Sequence, residues 1–189
     1  IEQEKPSALK KGFLKGTTSP AILRTQLNLA RLLPGKRVPA PLSKLLSGET
    51  AEADLPTLPT ALKGDPLAGM DQATLPPVKG EVYLLEGCAM RVLYPHVHWA
   101  TRRLLRRVGY VVREVSQGCC GALHAHNGYL DEAKKMGNSL VQTLSGDLPV
   151  IVNSAWCGST MKEYGHLLET EAGAEFAKRT LDLSEFLLQ

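Results

Sequence analysis

Two adjacent cysteines between two glycines, Gly118-Cys119-Cys120-Gly121, constrain this chain more than any other stretch. Only two other cysteines occur in 189 residues: Cys88, which follows Gly87, and Cys157, which precedes Gly158. Thirty residues separate Cys88 from Cys119, and thirty-six separate Cys120 from Cys157. All four therefore lie beyond residue 87, each beside a glycine. Four cysteines in a chain of this length do not make a disulfide scaffold. In a cytosolic setting such a group points to metal or redox chemistry.

Composition narrows the classes further. A hydrophobic content of 43% leaves material for a substantial core, while a net charge of +3 with mixed signs is too weak to argue for nucleic acid or an anionic membrane. No run of about 18 apolar residues is present to span a bilayer. The opening Ile1-Glu2-Gln3-Glu4-Lys5-Pro6 lacks the charged-then-apolar order of a signal peptide. Beginning on isoleucine, the chain reads as starting inside a longer one. The expectation is a cytoplasmic protein, associated with a membrane only through partners.

Residues 1–79 differ in texture from the rest. Ten of the twelve prolines lie there, so long regular elements are not expected. Ser19-Pro20 followed by Ile22, Leu23, Leu27, Ala30 and Leu33 predicts one helix, ended by Pro34-Gly35. A short second helix is expected over 42–46, and residues 48–79 read as an irregular linker. From Gly80 the pattern alternates. Short apolar strands are expected over 81–85, 110–115, 149–153 and 181–183. Helices are expected from Pro95 to Gly109, over 130–144, 158–168 and 172–178. Strands alternating with helices at this spacing predict an α/β fold, a Rossmann-like parallel sheet with helices on both faces, over residues 80–189. Ligands of such sheets gather beyond the carboxyl ends of the strands. Cys88, Cys119 and Cys157 each follow a predicted strand, so the three segments are expected to converge on one edge.

Thiolates are soft ligands that suit zinc, copper(I) or iron–sulfur clusters. Four of them complete a tetrahedral zinc site or hold a 4Fe–4S cluster. The neighbouring Gly87, Gly118, Gly121 and Gly158 lack a Cβ, which favours close backbone approach and N–H donation to sulfur, and so a bulky cofactor. The blander reading is four buried cysteines without a ligand. His124 and His126, just past the pair, read as turn residues near the site or as donors to a cofactor and a proton-linked control on its potential, with His124 counted among the cofactor-binding candidates. His96 and His98 read as solvated. Arg102, Arg103, Arg106 and Arg107 read as a solvated face or a docking surface for an acidic partner. No nucleophile–base pair, Walker-type loop or Gly-x-Gly-x-x-Gly run is present, so no flavin or hydride chemistry is assigned to this chain.

Leu85-Glu86-Gly87-Cys88, then Gly118-Cys119-Cys120-Gly121-Ala122-Leu123-His124, then Cys157-Gly158 followed by Lys162-Glu163-Tyr164-Gly165, resembles the cysteine-rich CCG domain family over residues 80–189. Within that family the chain is most similar to the glycolate oxidase iron–sulfur subunit. The resemblance implies an iron–sulfur electron-transfer subunit of a flavin-dependent 2-hydroxy-acid oxidoreductase, with Cys88, Cys119, Cys120 and Cys157 as ligands and a flavoprotein subunit as partner. It also implies a longer natural protein, with a ferredoxin-like domain before this region and a second cysteine-rich repeat after it. The family pattern ends in Cys-x-x-Cys, and Ser154 stands at the first of those positions. Four thiols remain, enough for a 4Fe–4S cluster or a zinc ion, and a five-cysteine cluster is disfavoured. A structural or zinc-binding assembly module is the first alternative; a thiol redox protein akin to heterodisulfide reductase is the second.

Overall fold

A computed structural model describes residues 8–30, 32, 37–38, 53–54, 59 and 62–189. Its centre is a four-stranded, all-parallel sheet, spatial order β4-β3-β5-β6, from β3 (Gly80–Leu85), β4 (Tyr110–Val112), β5 (Val150–Val152) and β6 (Thr180–Asp182). A separate antiparallel pair joins β1 (Arg37–Val38) to β2 (Ala53–Asp54). The α/β class expected from the alternation is the class observed.

The sheet follows from its apolar strands. Parallel strands covered on both faces read as continuous apolar runs, and Val82, Tyr83, Leu84 and Leu85 are all buried. Val82 and Leu84 face one way, against Leu105, Ile151 and Phe186. Tyr83 and Leu85 face the other, against Leu140, Val152, Tyr164 and Phe176. The first layer belongs to α4 (Pro95–Arg107) and α10 (Leu183–Leu187). The second belongs to α6 (Leu130–Thr143), α7 (Ala155–Lys162), α8 (Tyr164–Leu168) and α9 (Glu171–Lys178). Gly137 lets α6 pack closely here, since a Cβ on it would stand 2.9 Å from Leu168 Cδ2.

Three helices escape the periodicity. These are α1 (Ala8–Thr17), α3 (Ala89–Leu93) directly after Cys88, and α5 (Ala122–His126) directly after the Cys-Cys pair. The helix predicted from Ser19-Pro20 is α2 (Pro20–Ala30). The helix expected over 42–46 lies outside the described residues. The helix expected to begin at Gly158 begins at Ala155, so Cys157 lies in its first turn. Among the described residues no helix is long and apolar enough to cross a membrane.

The face of α4 corrects two expectations. Its buried residues are His98, Thr101 and Leu105, while Leu104 is exposed. His98 is therefore a core residue, only 2% exposed, rather than a solvated one. Three of the four arginines bond within the chain, and Arg107 is exposed. Arg103 donates to the carbonyls of Pro66 (3.1 Å) and Ala68 (3.0 Å), and Arg106 donates to that of Pro76 (2.8 Å). Arg102 bridges Glu86 (2.9 Å) and Glu114. A guanidinium presents several N–H donors in a fixed fork, which suits it to pinning carbonyls of a segment that has no ladder of its own. Residues 66–76, irregular apart from a short 3-10 turn at Gln72–Thr74, are held to α4 in this way.

The double substitution Arg103→Gln with Arg106→Gln removes three such bonds. It is expected to speed chymotrypsin cleavage after Leu67 or Met70 about a hundredfold, each bond being worth about 1 kcal/mol net. An unchanged cleavage rate would show that the segment is held by other contacts.

Candidate metal centre

The site sits where the direction of winding reverses. The chain leaves β3 for β4 on one side, then returns past β3 to β5 on the other. The two neighbours β3 and β5 pair Leu85 with Val152 at their carboxyl ends. Such a reversal opens a crevice beyond the strand ends. Glu86-Gly87-Cys88 enters it from β3, and Asn153-Ser154 leads from β5 to Cys157. Cys119 and Cys120 come on a third arm, residues 113–121, that follows β4 but belongs to no strand.

All four cysteines are free; Cys119 and Cys120 are buried, Cys88 and Cys157 partly so. The sulfurs of Cys88 and Cys119 stand 3.4 Å apart. The Gly121 N–H points at Cys119 Sγ across 3.4 Å. Hydrogen bonds from the Cys120 and Cys88 thiols hold Cys119 well below the usual thiol range, against the cost of burial. Cys88 is pushed up because it donates to Cys119 and is desolvated. Cys120 is pushed up because it donates to both Cys119 and Cys157. Cys157 is held down by the Cys120 thiol and, more weakly, by the Ser154 hydroxyl, with burial opposing both. Along the four sulfurs Cys119 and Cys157 are shifted down and Cys88 and Cys120 up. Ser154 occupies the N-cap of α7 but makes no capping bond. Among the described residues no three His, Cys, Asp or Glu side chains are grouped as a ready site for a single ion.

The four glycines differ. Gly87, at φ 65°, turns the chain beside Cys157, whose sulfur would lie 3.9 Å from a Cβ placed there. Gly121, at φ 82°, has the Ala133 carbonyl 2.9 Å from its ideal Cβ position. Gly158 faces Val152 at 3.1 Å and lets α7 lie on β5. Gly118 has open space around it. His124 is 1% exposed, on α5 rather than in a turn, and packs edge-on against Tyr129. Its Nδ1 has no hydrogen-bond partner, and burial holds its pKa down. The nearness of His124 also favours the Cys119 thiolate. His126 is exposed, beside the Trp156 ring at 5.2 Å.

Four further residues carry this geometry, and of them only Tyr164 falls within a quoted motif. Tyr164, fully buried, donates from its hydroxyl to the Cys120 carbonyl at 2.6 Å. The one available signal was that a core tyrosine must find a partner for its hydroxyl. Gln117 bonds to the end of β3 through both ends of its amide. Arg91 and Arg102 close on the Glu86 carboxylate at 3.1 and 2.9 Å, next to Gly87-Cys88. Burial would raise the Glu86 pKa, but the two arginines, Arg102 foremost, bring it below the usual range.

Gly121→Ala is expected to cost about 2–4 kcal/mol, from left-handed backbone strain plus the contact with the Ala133 carbonyl. Gly118→Ala is expected to change stability by less than about 0.5 kcal/mol. Urea melts of the two variants check this, and equal losses would contradict the geometry.

Comparison with known proteins agrees with these motifs. Residues 82–162 match the family model described as Cysteine-rich domain, CCG. The chain is 32% identical over 151 residues to a probable glycolate oxidase iron–sulfur subunit of Bacillus subtilis, an alignment covering 74% of this chain and 33% of that protein. It is 30% identical over 118 residues to the glycolate oxidase iron–sulfur subunit of Escherichia coli, covering 59% and 29%. It is 32% identical over 114 residues to lactate utilization protein A of Geobacillus kaustophilus, covering 57% and 48%. The chain thus spans about a third of the length of the first two relatives and about half of the third. No solved structure matches it significantly. Residues 82–162 are a cysteine-rich domain of the CCG family, in a chain related to the iron–sulfur subunits of glycolate oxidase.

Proposed function

We propose that this chain is part of an iron–sulfur electron-transfer subunit of a flavin-dependent 2-hydroxy-acid oxidoreductase of the glycolate oxidase kind. In this reading residues 1–79 are an N-terminal helical segment and linker, and residues 80–189 the cysteine-rich domain. A flavoprotein subunit oxidises the substrate in the cytoplasm, and any membrane association runs through partners. The observation that carries the reading is that four free cysteines lie on segments ending at one sheet edge, with Cys88 and Cys119 in contact at 3.4 Å and the Cys157 sulfur beside Gly87.

The donor set fits an iron–sulfur group chemically. Cys88, Cys119, Cys120 and Cys157 are the ligands we assign to a 4Fe–4S cluster, which when bound takes up and passes on one electron at a time. Thiols bind metal as thiolates and release their protons on binding, so loading should grow easier as pH rises. The Gly121 N–H donates to Cys119 Sγ and offsets part of its negative charge. Cys120, Ala122 and Tyr164 form a dry inner wall, while partly exposed Cys88 and Cys157 leave an outer side for electron entry and exit. Gly87, Gly118, Gly121, Gly158 and His124 line the approach in this assignment.

The test is iron and sulfide analysis with EPR after anaerobic reconstitution. Iron and acid-labile sulfide in near-equal amounts are expected, with an EPR signal on reduction that Cys157→Ser removes. One zinc per chain with neither iron nor sulfide would overturn the reading in favour of a structural module.

A further inference from the structure

We propose that Gln117 is the positioning residue that sets Cys119 against Cys88, by standing in for a strand the sheet lacks. Strand β4 pairs with β3 only as far as Val82 with Val112. The next rung is the Arg113 N–H donating to the Val82 carbonyl at 2.9 Å. Beyond it the chain leaves the sheet, although β3 runs on to Leu85. The same edge of β3 therefore presents the Leu84 carbonyl and the Glu86 N–H with no backbone to meet them. In a parallel ladder one residue of the neighbouring strand would donate to the first and accept from the second. The Gln117 carboxamide does both. Its Nε2 donates to the Leu84 carbonyl at 2.8 Å, and its Oε1 accepts from the Glu86 N–H at 3.1 Å. A carboxamide carries the same donor and acceptor as a peptide group, so the side chain completes the rung that the backbone omits.

The consequence for the sulfurs is direct. Glu86-Gly87-Cys88 and Gln117-Gly118-Cys119 run from this clamp with one glycine each, and they end with the two sulfurs 3.4 Å apart. Cys120 is fixed separately, through the Tyr164 hydroxyl on its carbonyl. Gln117 thus governs the Cys88–Cys119 separation and leaves the Cys120–Cys157 side to other contacts.

The role rests on the reading that the four cysteines form one functional centre, but its test needs no metal. The full 189-residue chain, metal-free and reduced, is treated with one equivalent of diamide. The reagent takes two electrons and two protons from a pair of thiols, is itself reduced to the hydrazine, and leaves a disulfide. Peptide mapping follows Cys88–Cys119 formation, with Cys120–Cys157 as the internal reference. In Gln117→Leu, which loses both bonds, the ratio of the two rates is expected to fall about tenfold, as two net hydrogen bonds allow. Gln117→Glu keeps the acceptor for Glu86 and loses the donor to Leu84, and is expected to fall between Leu and the native residue. It also decides the matter if the Leu variant does not fold. General loosening would slow both disulfides together, so an unchanged ratio overturns the proposal. A lowered ratio in a protein that takes up no iron removes the cluster reading and keeps the clamp; iron uptake with an unchanged ratio does the reverse.

Discussion

The register between β3 and β5 is the constraint on which the rest depends. Pairing Leu85 with Val152 brings two strands to a common end at the point where the winding reverses. Whatever follows those strands is then forced into one crevice. Gly87 turns the first chain at φ 65°, and α7 begins immediately after Ser154 on the second, so Cys88 and Cys157 arrive from opposite walls. The third arm has no such guarantee, because β4 is only three residues long and stops well before Cys119. It must be fixed by side chains and by one backbone turn. Gly121, close against the Ala133 carbonyl, sets where α5 starts and therefore where Cys120 faces.

Burying four sulfurs together is tolerable because they satisfy one another. Two buried like charges side by side would repel strongly, and two unshared thiols would leave weak donors idle. Opposite shifts along the four sulfurs, with Cys119 and Cys157 moved down and Cys88 and Cys120 up, lessen both costs, and the Gly121 N–H adds a donor at Cys119.

Strands and turns were readable because their physics is local. Val82 to Leu85 and Val150 to Val152 are apolar throughout, as strands covered on both faces must be. Pro95 marked the start of α4 through its fixed φ and missing donor. The face of that helix was not readable. The buried stripe is His98, Thr101 and Leu105. Beside it Arg102 pairs with Glu86, just after β3, and Thr101 meets Asn153, at the end of β5, at 2.9 Å. Both partners come from other strands' ends, so no window of sequence contains them. The short helices α3 and α5 were lost for a related reason: five residues carry no period, and each is anchored by a cysteine turn rather than by an apolar face.

The same long-range polar contacts connect the proline-rich segment to the sulfur crevice. Arg103 and Arg106 hold residues 66–76 from one side of α4, while Arg102 on an adjoining stripe grips Glu86, the residue before Gly87-Cys88. Helix α4 is thus a rigid bar with the linker on one side and the first cysteine arm on the other. Its arginines are worth little as isolated surface charges, but the largely buried Arg102 guanidinium costs more to disturb, since the partly buried Glu86 would lose one of its two cationic partners. Glu86 meets Arg91 on α3 as well as Arg102 on α4, so a shift of either helix would change the charge environment of the Cys88 arm without touching a sulfur.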